Sequence, residues 1–299
     1  MTNIQESPLL IGIGAVLWDV FPDGARLGGA PANFAVHAAA LGTRSALVSC
    51  VGDDARGREA TELLKGHGVI TDAVQVDAHR PTGTVPVTLV NGQPSYEIVE
   101  GVAWDAIGWR SELASLAHSA HAICFGTLDQ REITRRQTIL RFLDAASPAC
   151  LRVLDVNFRQ HYHCRNVVQA SLERADVLKL SDEEVPLLRE YVDGSGGVDG
   201  FWADVLTRYE LRCVILTLGE KGCRVVSAEC VFEVQGEKQA VVNTVGAGDA
   251  FTAAFISHLI NGADLQLCAE QANLAGGFVT TQDSGMPKLP PSFRVFNKR

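Results

Sequence analysis

The 299-residue sequence contains no C-x-x-C pair among its eight cysteines, no block of like charge, no internal repeat, and no low-complexity stretch or linker. Each absence excludes something. Cys50, Cys124, Cys150, Cys164, Cys213, Cys223, Cys230 and Cys268 include several in apolar strand-like runs, which fits free thiols in a reducing compartment better than a disulfide framework. A formal net charge of −9 with no basic run argues against nucleic acid, which is normally met by a basic face. It leaves open a phosphorylated ligand, which backbone amides and one or two cations can hold. The first apolar run, Leu9 to Trp18, is too short to span a membrane and no basic segment precedes it. The expectation is a cytoplasmic protein without a membrane partner.

What is present is an ordinary globular mixture, 46% hydrophobic and 20% charged. A chain of this length forms one large α/β domain or two smaller ones and buries roughly 75% of its unfolded surface. Short apolar runs at 9–17, 45–51, 121–126, 151–156, 176–180, 213–218 and 223–227 alternate with amphipathic ones at 32–41, 55–66, 131–146, 164–174, 182–192, 201–209, 250–260 and 265–280. Continuous apolar runs such as "CVILTLG" are typical of a parallel sheet covered on both faces. The alternation predicts an α/β fold, a doubly wound, mainly parallel sheet sandwiched by helices, in a single domain over 1–299.

One stretch departs from this rhythm. "TGTVPVTLVNGQPSYEIVE", 82–100, alternates with period two around Asn91-Gly92, a strong hairpin signal. Val85, Val87 and Leu89 share one face, and Pro86 requires an edge or irregular position. A hairpin outside the main sheet is expected. It is either decoration or, over about 82–104, a small β lid above the strand ends where open α/β sheets bind ligands.

The segment "VVNTVGAGDAFTAAFISHL", 241–259, hands an apolar strand-like run to an apolar-striped helix through Gly246-Ala247-Gly248-Asp249. A helix begins with free N–H groups and the positive end of its dipole, and glycines let an anion approach them. A carboxylate beside such a cradle suits phosphoryl transfer, with the amides on the phosphate and Asp249 taking a proton from an attacking hydroxyl. The alternative is an acidic first turn after a tight bend. A dinucleotide fingerprint fits less well, because the third glycine is missing. The stretch "RLGGAPANFAVHAAALG", 26–42, repeats the device: Gly28-Gly29, a helix opened by Pro31, and Asn33 in its first turn. With Asp19 at the end of the first apolar run, these residues form a set suited to sugar hydroxyls.

On these two motifs the chain resembles the ribokinase-like sugar kinases of the phosphofructokinase B family, and among them a fructokinase. The stretches "PTGTVPVTLV", "EGVAWD", "FGTLDQR" and "DVNFRQ" share the resemblance, which covers essentially all of the chain. It implies ATP and Mg²⁺, transfer to a primary hydroxyl of a small sugar, Asp249 as base, and Gly246, Ala247 and Gly248 as anion hole. It also implies sugar contacts from Asp19, Gly28, Gly29 and Asn33, with Asn157 and Arg159 near the substrate and the transferred phosphate. Thr217, Gly219 and Gly222 resemble the nucleotide-side turn, and Asn273 and Gly277 the adenine pocket. Related lids often pair, which implies a homodimer through the lid.

Two departures stand out. Where the family has Asn-x-x-Glu, a segment associated with Mg²⁺, this chain has Ser181 and Glu184, which also read as a helix capping box. Asn243 replaces an Asp of a loop associated with a monovalent cation such as K⁺. His161, His163 and Cys164 lack a second ligand pair at useful spacing for zinc. Three functions are carried forward: a fructokinase; a kinase of another sugar, a 2-keto-3-deoxy sugar acid or a nucleoside; and a non-catalytic sugar-binding protein. Arg26 and Arg159 keep an acid substrate open, and Trp104 keeps nucleoside stacking open.

Overall fold

A computed structural model describes residues 7–90, 93–194 and 197–295. Its central sheet begins with β1 (Leu9–Ile13), whose residues alternate between two hydrophobic layers. Leu9, Ile11 and Ile13 face one layer and Leu10 faces the other. The run expected at 9–17 is therefore two strands. Gly14, at φ 142°, ends β1, and the carboxylate of Asp129 occupies the place of any side chain there. The chain then leaves the main sheet as β2 (Leu17–Phe21) and returns antiparallel as β3 (Gly24–Gly28). Asp19 thus lies in the middle of β2, opposite Arg26, and not at the end of the first strand.

After β3 come α1 (Ala30–Ala40), β4 (Arg44–Gly52), α2 (Ala55–Gly66) and two short strands, β5 (Val69–Ile70) and β6 (Val74–Asp77), both parallel to β4. Next is the pair β7 (Gly83–Val90) and β8 (Gln93–Tyr96), antiparallel in register Val87 to Tyr96. The turn Asn91-Gly92 and the side chains of Val87 and Leu89 lie outside the described residues. Strand β7 runs parallel to β2, giving a separate four-stranded sheet in the order β3, β2, β7, β8. The expected lid segment is thus half of a sheet whose other half is 17–28. Val85 does not project. It packs in a satellite cluster with Ala15, Leu17, Ile98, Val102 and Trp104.

The remainder is wound as helix and strand in turn: α3 (Glu112–Ser119), β9 (Ala122–Gly126), α4 (Ile133–Asp144), β10 (Leu151–Asp155), α5 (Arg165–Leu172), β11 (Val177–Ser181), α6 (Val185–Tyr191), α7 (Val198–Arg208) and β12 (Cys213–Thr217). An antiparallel extension, β13 (Gly222–Ser227) and β14 (Val231–Gln235), precedes the last helices, α8 (Ala247–Ile260) and α9 (Leu265–Thr280). The sheet order is β14, β13, β12, β11, β10, β9, β1, β4, β5, with β6 also on β4. One face is covered by residues of α3 to α7, including Phe142, Leu172 and Phe201, and the other by α1, α8 and α9 through Phe34, Phe255 and Ala272. This is a doubly wound sandwich. Strand β1 lies between β4 and β9, so the direction of winding reverses there. At such a switch point a crevice opens beyond the strand ends.

The eight cysteines are all unpaired. Among the described residues no helix is long and apolar enough to cross a membrane.

Candidate active site

Helix α8 starts without a side-chain cap, whereas α2 and α9 are capped by Asp54 and Asp264. Its N-cap is Gly246, in the left-handed region at φ 77°, and a side chain there would run into the backbone of Gly285. A residue other than glycine is disfavoured on both counts. The uncapped first turn of Ala247, Gly248 and Asp249 leaves N–H groups for an anion.

Asp249 meets the other predicted motif directly. Asn33, buried in the first turn of α1, donates from Nδ2 to Asp249 Oδ2 at 2.7 Å. One carboxylate oxygen is thereby fixed and the other left to act. Asn33 Oδ1 is buried without a hydrogen-bond partner, an acceptor suited to a ligand hydroxyl. Burial first, and the neighbouring Asp155 second, push the Asp249 carboxyl up to about 6, against the Asn33 hydrogen bond and the charges of Lys179 and Arg159. Such a value suits a general base working near neutrality.

The residues expected on the sugar side connect to this pair. Asn33 N donates to Gly29 O at 2.8 Å, fixing the start of α1. Gly29 sits at φ 104° against the backbone of Ala15, where no side chain fits. Gly28 is packed under the Asp19 carboxylate, whose Oδ2 occupies the place its Cβ would take. Asp19 is half-buried, and burial pushes its carboxyl up to about 6, opposed by the charge of Arg159.

Where β10 ends beside the middle of β11, the chain brings together residues that the sequence motifs did not single out as a pair. Asp155 and Lys179 are directly opposite in parallel register, and Lys179 Nζ donates to Asp155 at 2.9 and 3.2 Å. Asn157 follows at φ 41°, in the left-handed region that Asn tolerates. Arg159 is exposed and bonded to Phe158 O, and its charge acts on Asp19, Asp155 and Asp249 together. Glu184 forms the capping box: Oε2 accepts from Ser181 N and Oγ at 2.8 and 3.1 Å, and Oε1 accepts from Phe158 N at 2.7 Å. Glu184 therefore ties the end of β11 to the Asn157–Arg159 loop, with one oxygen on each. Among the described residues no group of three or more His, Cys, Asp or Glu is placed to hold a metal ion. His163 bonds to the Tyr191 hydroxyl at 2.8 Å.

Of the residues expected on the nucleotide side, Asn273 and Gly222 meet at β14. Asn273 Nδ2 donates to Val234 O at 3.1 Å, Gly222 at φ 99° leaves no room for a side chain beside that carbonyl, and Gly277 lies against Gln239. Thr217 Oγ1 donates to Leu180 O at 3.4 Å and Gly219 is at φ 59° in an open turn. Asn243 holds its own loop and ties it to the segment after α9: Oδ1 accepts from Val245 N at 2.9 Å and Nδ2 donates to Asp283 O at 3.4 Å.

Two residues kept open for alternative substrates are otherwise engaged. Arg26 pairs with exposed Asp23 at 2.8 Å. Trp104 is only 1% exposed, with the guanidinium groups of Arg131 and Arg135 each 4.2 Å from its ring centre. Both arginines bond to buried Asp105. The indole is therefore enclosed and cannot serve as a stacking platform for a base.

The family model for pfkB family carbohydrate kinases matches residues 23–291. A protein of Pyrococcus horikoshii that carries a sugar kinase name is 32% identical over 272 residues, covering 88% of this chain and 83% of its own. Fructokinase-2 of Solanum habrochaites is 29% identical over 97% of this chain and 95% of its own. The crystal structure of the Pyrococcus horikoshii sugar kinase in complex with ATP superposes with a TM-score of 0.79 at 28% identity, covering 93% of this chain and 94% of that one.

Proposed function

We propose that this chain, which belongs to the pfkB family of carbohydrate kinases, transfers the terminal phosphate of ATP to a primary hydroxyl of a small sugar, with fructose as the leading substrate. The observation that carries this reading is the Asn33–Asp249 contact at the uncapped start of α8. Asp249 accepts the hydroxyl proton as the sugar oxygen bonds to phosphorus and the bond to the bridging oxygen breaks, releasing ADP. The amides of Gly246 to Asp249 stabilise the charge on the phosphate. Asp19, Gly28, Gly29 and Asn33 hold the sugar, Arg159 faces both substrates, and Thr217, Gly219, Gly222, Asn273 and Gly277 shape the nucleotide end. Magnesium would enter with ATP and offset the charge of its phosphates, a mode that needs no preformed protein cage.

Fructose is favoured by the fructokinase names among relatives. A sugar acid is the second reading, supported by exposed Arg159, whose charge reaches the Asp19 side of the cleft. ADP release measured over ketoses, aldoses, sugar acids and nucleosides should give its highest kcat/KM with fructose. A sugar acid at the top moves the assignment to the second reading, and no turnover with any of them removes the kinase.

The four-stranded sheet is proposed as the lid, closing over the sugar so that water is excluded from the phosphate. Among the described residues it ends in two unpaired edges, β3 and β8, and pairing of two lids would cover them. Sedimentation should give twice the 32.1 kDa chain mass. A monomer at micromolar concentration removes the dimer.

A further inference from the structure

We propose, on the kinase reading above, that Lys179 is a second cationic element of the transfer site. Its ammonium holds the transferring phosphate from the strand side while the α8 amides hold it from the helix side.

Three observations converge. First, Lys179 is the one lysine buried among the described residues, and it lies in the middle of β11 with its ammonium on Asp155, the last residue of β10. Burying a lysine–carboxylate pair gives little or no net stability compared with a packed apolar pair. Its neighbours in β11, Leu178 and Leu180, are fully buried, so an apolar residue would suit this strand equally well. Second, Asp155 leaves donor capacity on the Lys179 ammonium unused. An ammonium has three protons to donate, and among the described residues Asp155 is its one hydrogen-bond partner.

The third observation concerns Gly248. Gly246 requires glycine for its backbone angle, but Gly248 is absent from the positive-φ residues and sits in an ordinary first turn. The backbone at Gly248 would accept alanine, so what decides is the space in front of it. The nearest atom that a Cβ on Gly248 would meet is Lys179 Nζ, at 3.1 Å. A side chain there would stand between the ammonium and the space in front of the helix. Gly248 thus keeps Lys179 open to whatever the amides bind. An anion at that point would receive N–H groups from the helix and charge from the strand, in a partly buried place where charge is weakly screened.

The test separates this role from a structural one and from the kinase reading itself. Lys179→Met alone leaves Asp155 buried and unpaired, so the decisive variant is Lys179→Met with Asp155→Asn, which replaces the charged pair by a neutral one of similar shape. It is expected to fold, to bind ADP as the wild type does, and to lose about 100-fold in kcat, the loss typical of one oxyanion donor. Affinity for ADP with tetrafluoroaluminate, a mimic of the phosphate in transfer, should fall by a similar factor. Lys179→Arg, which keeps the charge, should retain more of both than the neutral pair. A double variant that no longer folds makes the pair structural and overturns the proposal. So does one that folds with kcat and analogue affinity within about threefold of wild type. A wild-type chain that phosphorylates no sugar removes the reading beneath the proposal and the proposal with it. An active wild type with an unimpaired double variant removes the proposal alone.

Discussion

Asp249→Asn should lower kcat by about 10²–10⁴, the usual contribution of a positioned general base, while sugar affinity changes much less. The geometry supports a clean loss. Asn33 Oδ1 is buried without a partner, so the introduced amide can donate to it and replace the 2.7 Å bond that Asn33 now gives Asp249. The first turn of α8 is then retained and only the base is lost. In the wild type, activity should rise with pH through about 6 and level off above it, because Asp249 works ionised and burial raises its carboxyl to about that value. The sign for stability is the reverse. A carboxyl whose folded value lies above its ordinary 3.8 favours folding fully only below 3.8, and that contribution is lost as pH rises through about 6. Asp249→Asn should therefore melt at a higher temperature than wild type at pH 7, with the difference shrinking below pH 4. Turnover within twofold of wild type would remove Asp249 as base. A lower melting temperature at pH 7 would remove the account of its burial.

Much of this site was legible in the sequence because its chemistry is local. Gly246 to Asp249, and Gly28, Gly29 and Asn33, are each read within a few residues of a helix start, where capping and glycine angles are set by neighbours along the chain. The alternation of apolar strands and striped helices predicted the sandwich for the same reason. What was hidden depends on distant pairing. The run 9–17 looks continuous in hydrophobicity, and its division at Gly14 is set by Asp129, more than a hundred residues away. The second sheet needs 17–28 to find 83–96, a pairing that no short pattern encodes. Trp104 could be seen as an aromatic near a cleft, but not that Arg131 and Arg135 enclose it. Lys179 offered one signal, a lysine inside an apolar strand. Its meaning came only from the register that sets it opposite Asp155. Strand β14 and helix α3 were passed over because "VFEVQ" is exposed at alternate positions and "ELASLAHS" makes barely two turns.

Asp19→Ala should reduce kcat/KM for the sugar by about 10²–10³, with ATP binding retained. A site that hydrogen-bonds hydroxyls penalises the missing partner heavily, because the groups left behind stay desolvated and unpaired. Asp19 is built for this in two ways: it is half-buried in β2, and Gly28 yields the space its carboxylate occupies. Gly28→Ala, which moves the carboxylate without removing it, should therefore reproduce much of the loss. The pH dependence adds a signature that a structural role would not produce. Burial raises Asp19 and Asp249 alike to about 6. Profiles of kcat/KM report the free enzyme and profiles of kcat report the complex. With both carboxylates needed ionised, the acid limb of kcat/KM in the wild type should be steeper than a single titration. In the complex, bound sugar holds Asp19 ionised, so the limb of kcat should follow one group. Asp19→Asn should bring the two limbs to the same single-proton slope. If Asp19→Ala weakened ATP binding and spared the sugar, the two ends of the cleft would have to be exchanged. If both limbs of the wild type already followed one proton, Asp19 would not titrate with the base and its place on the sugar would fall.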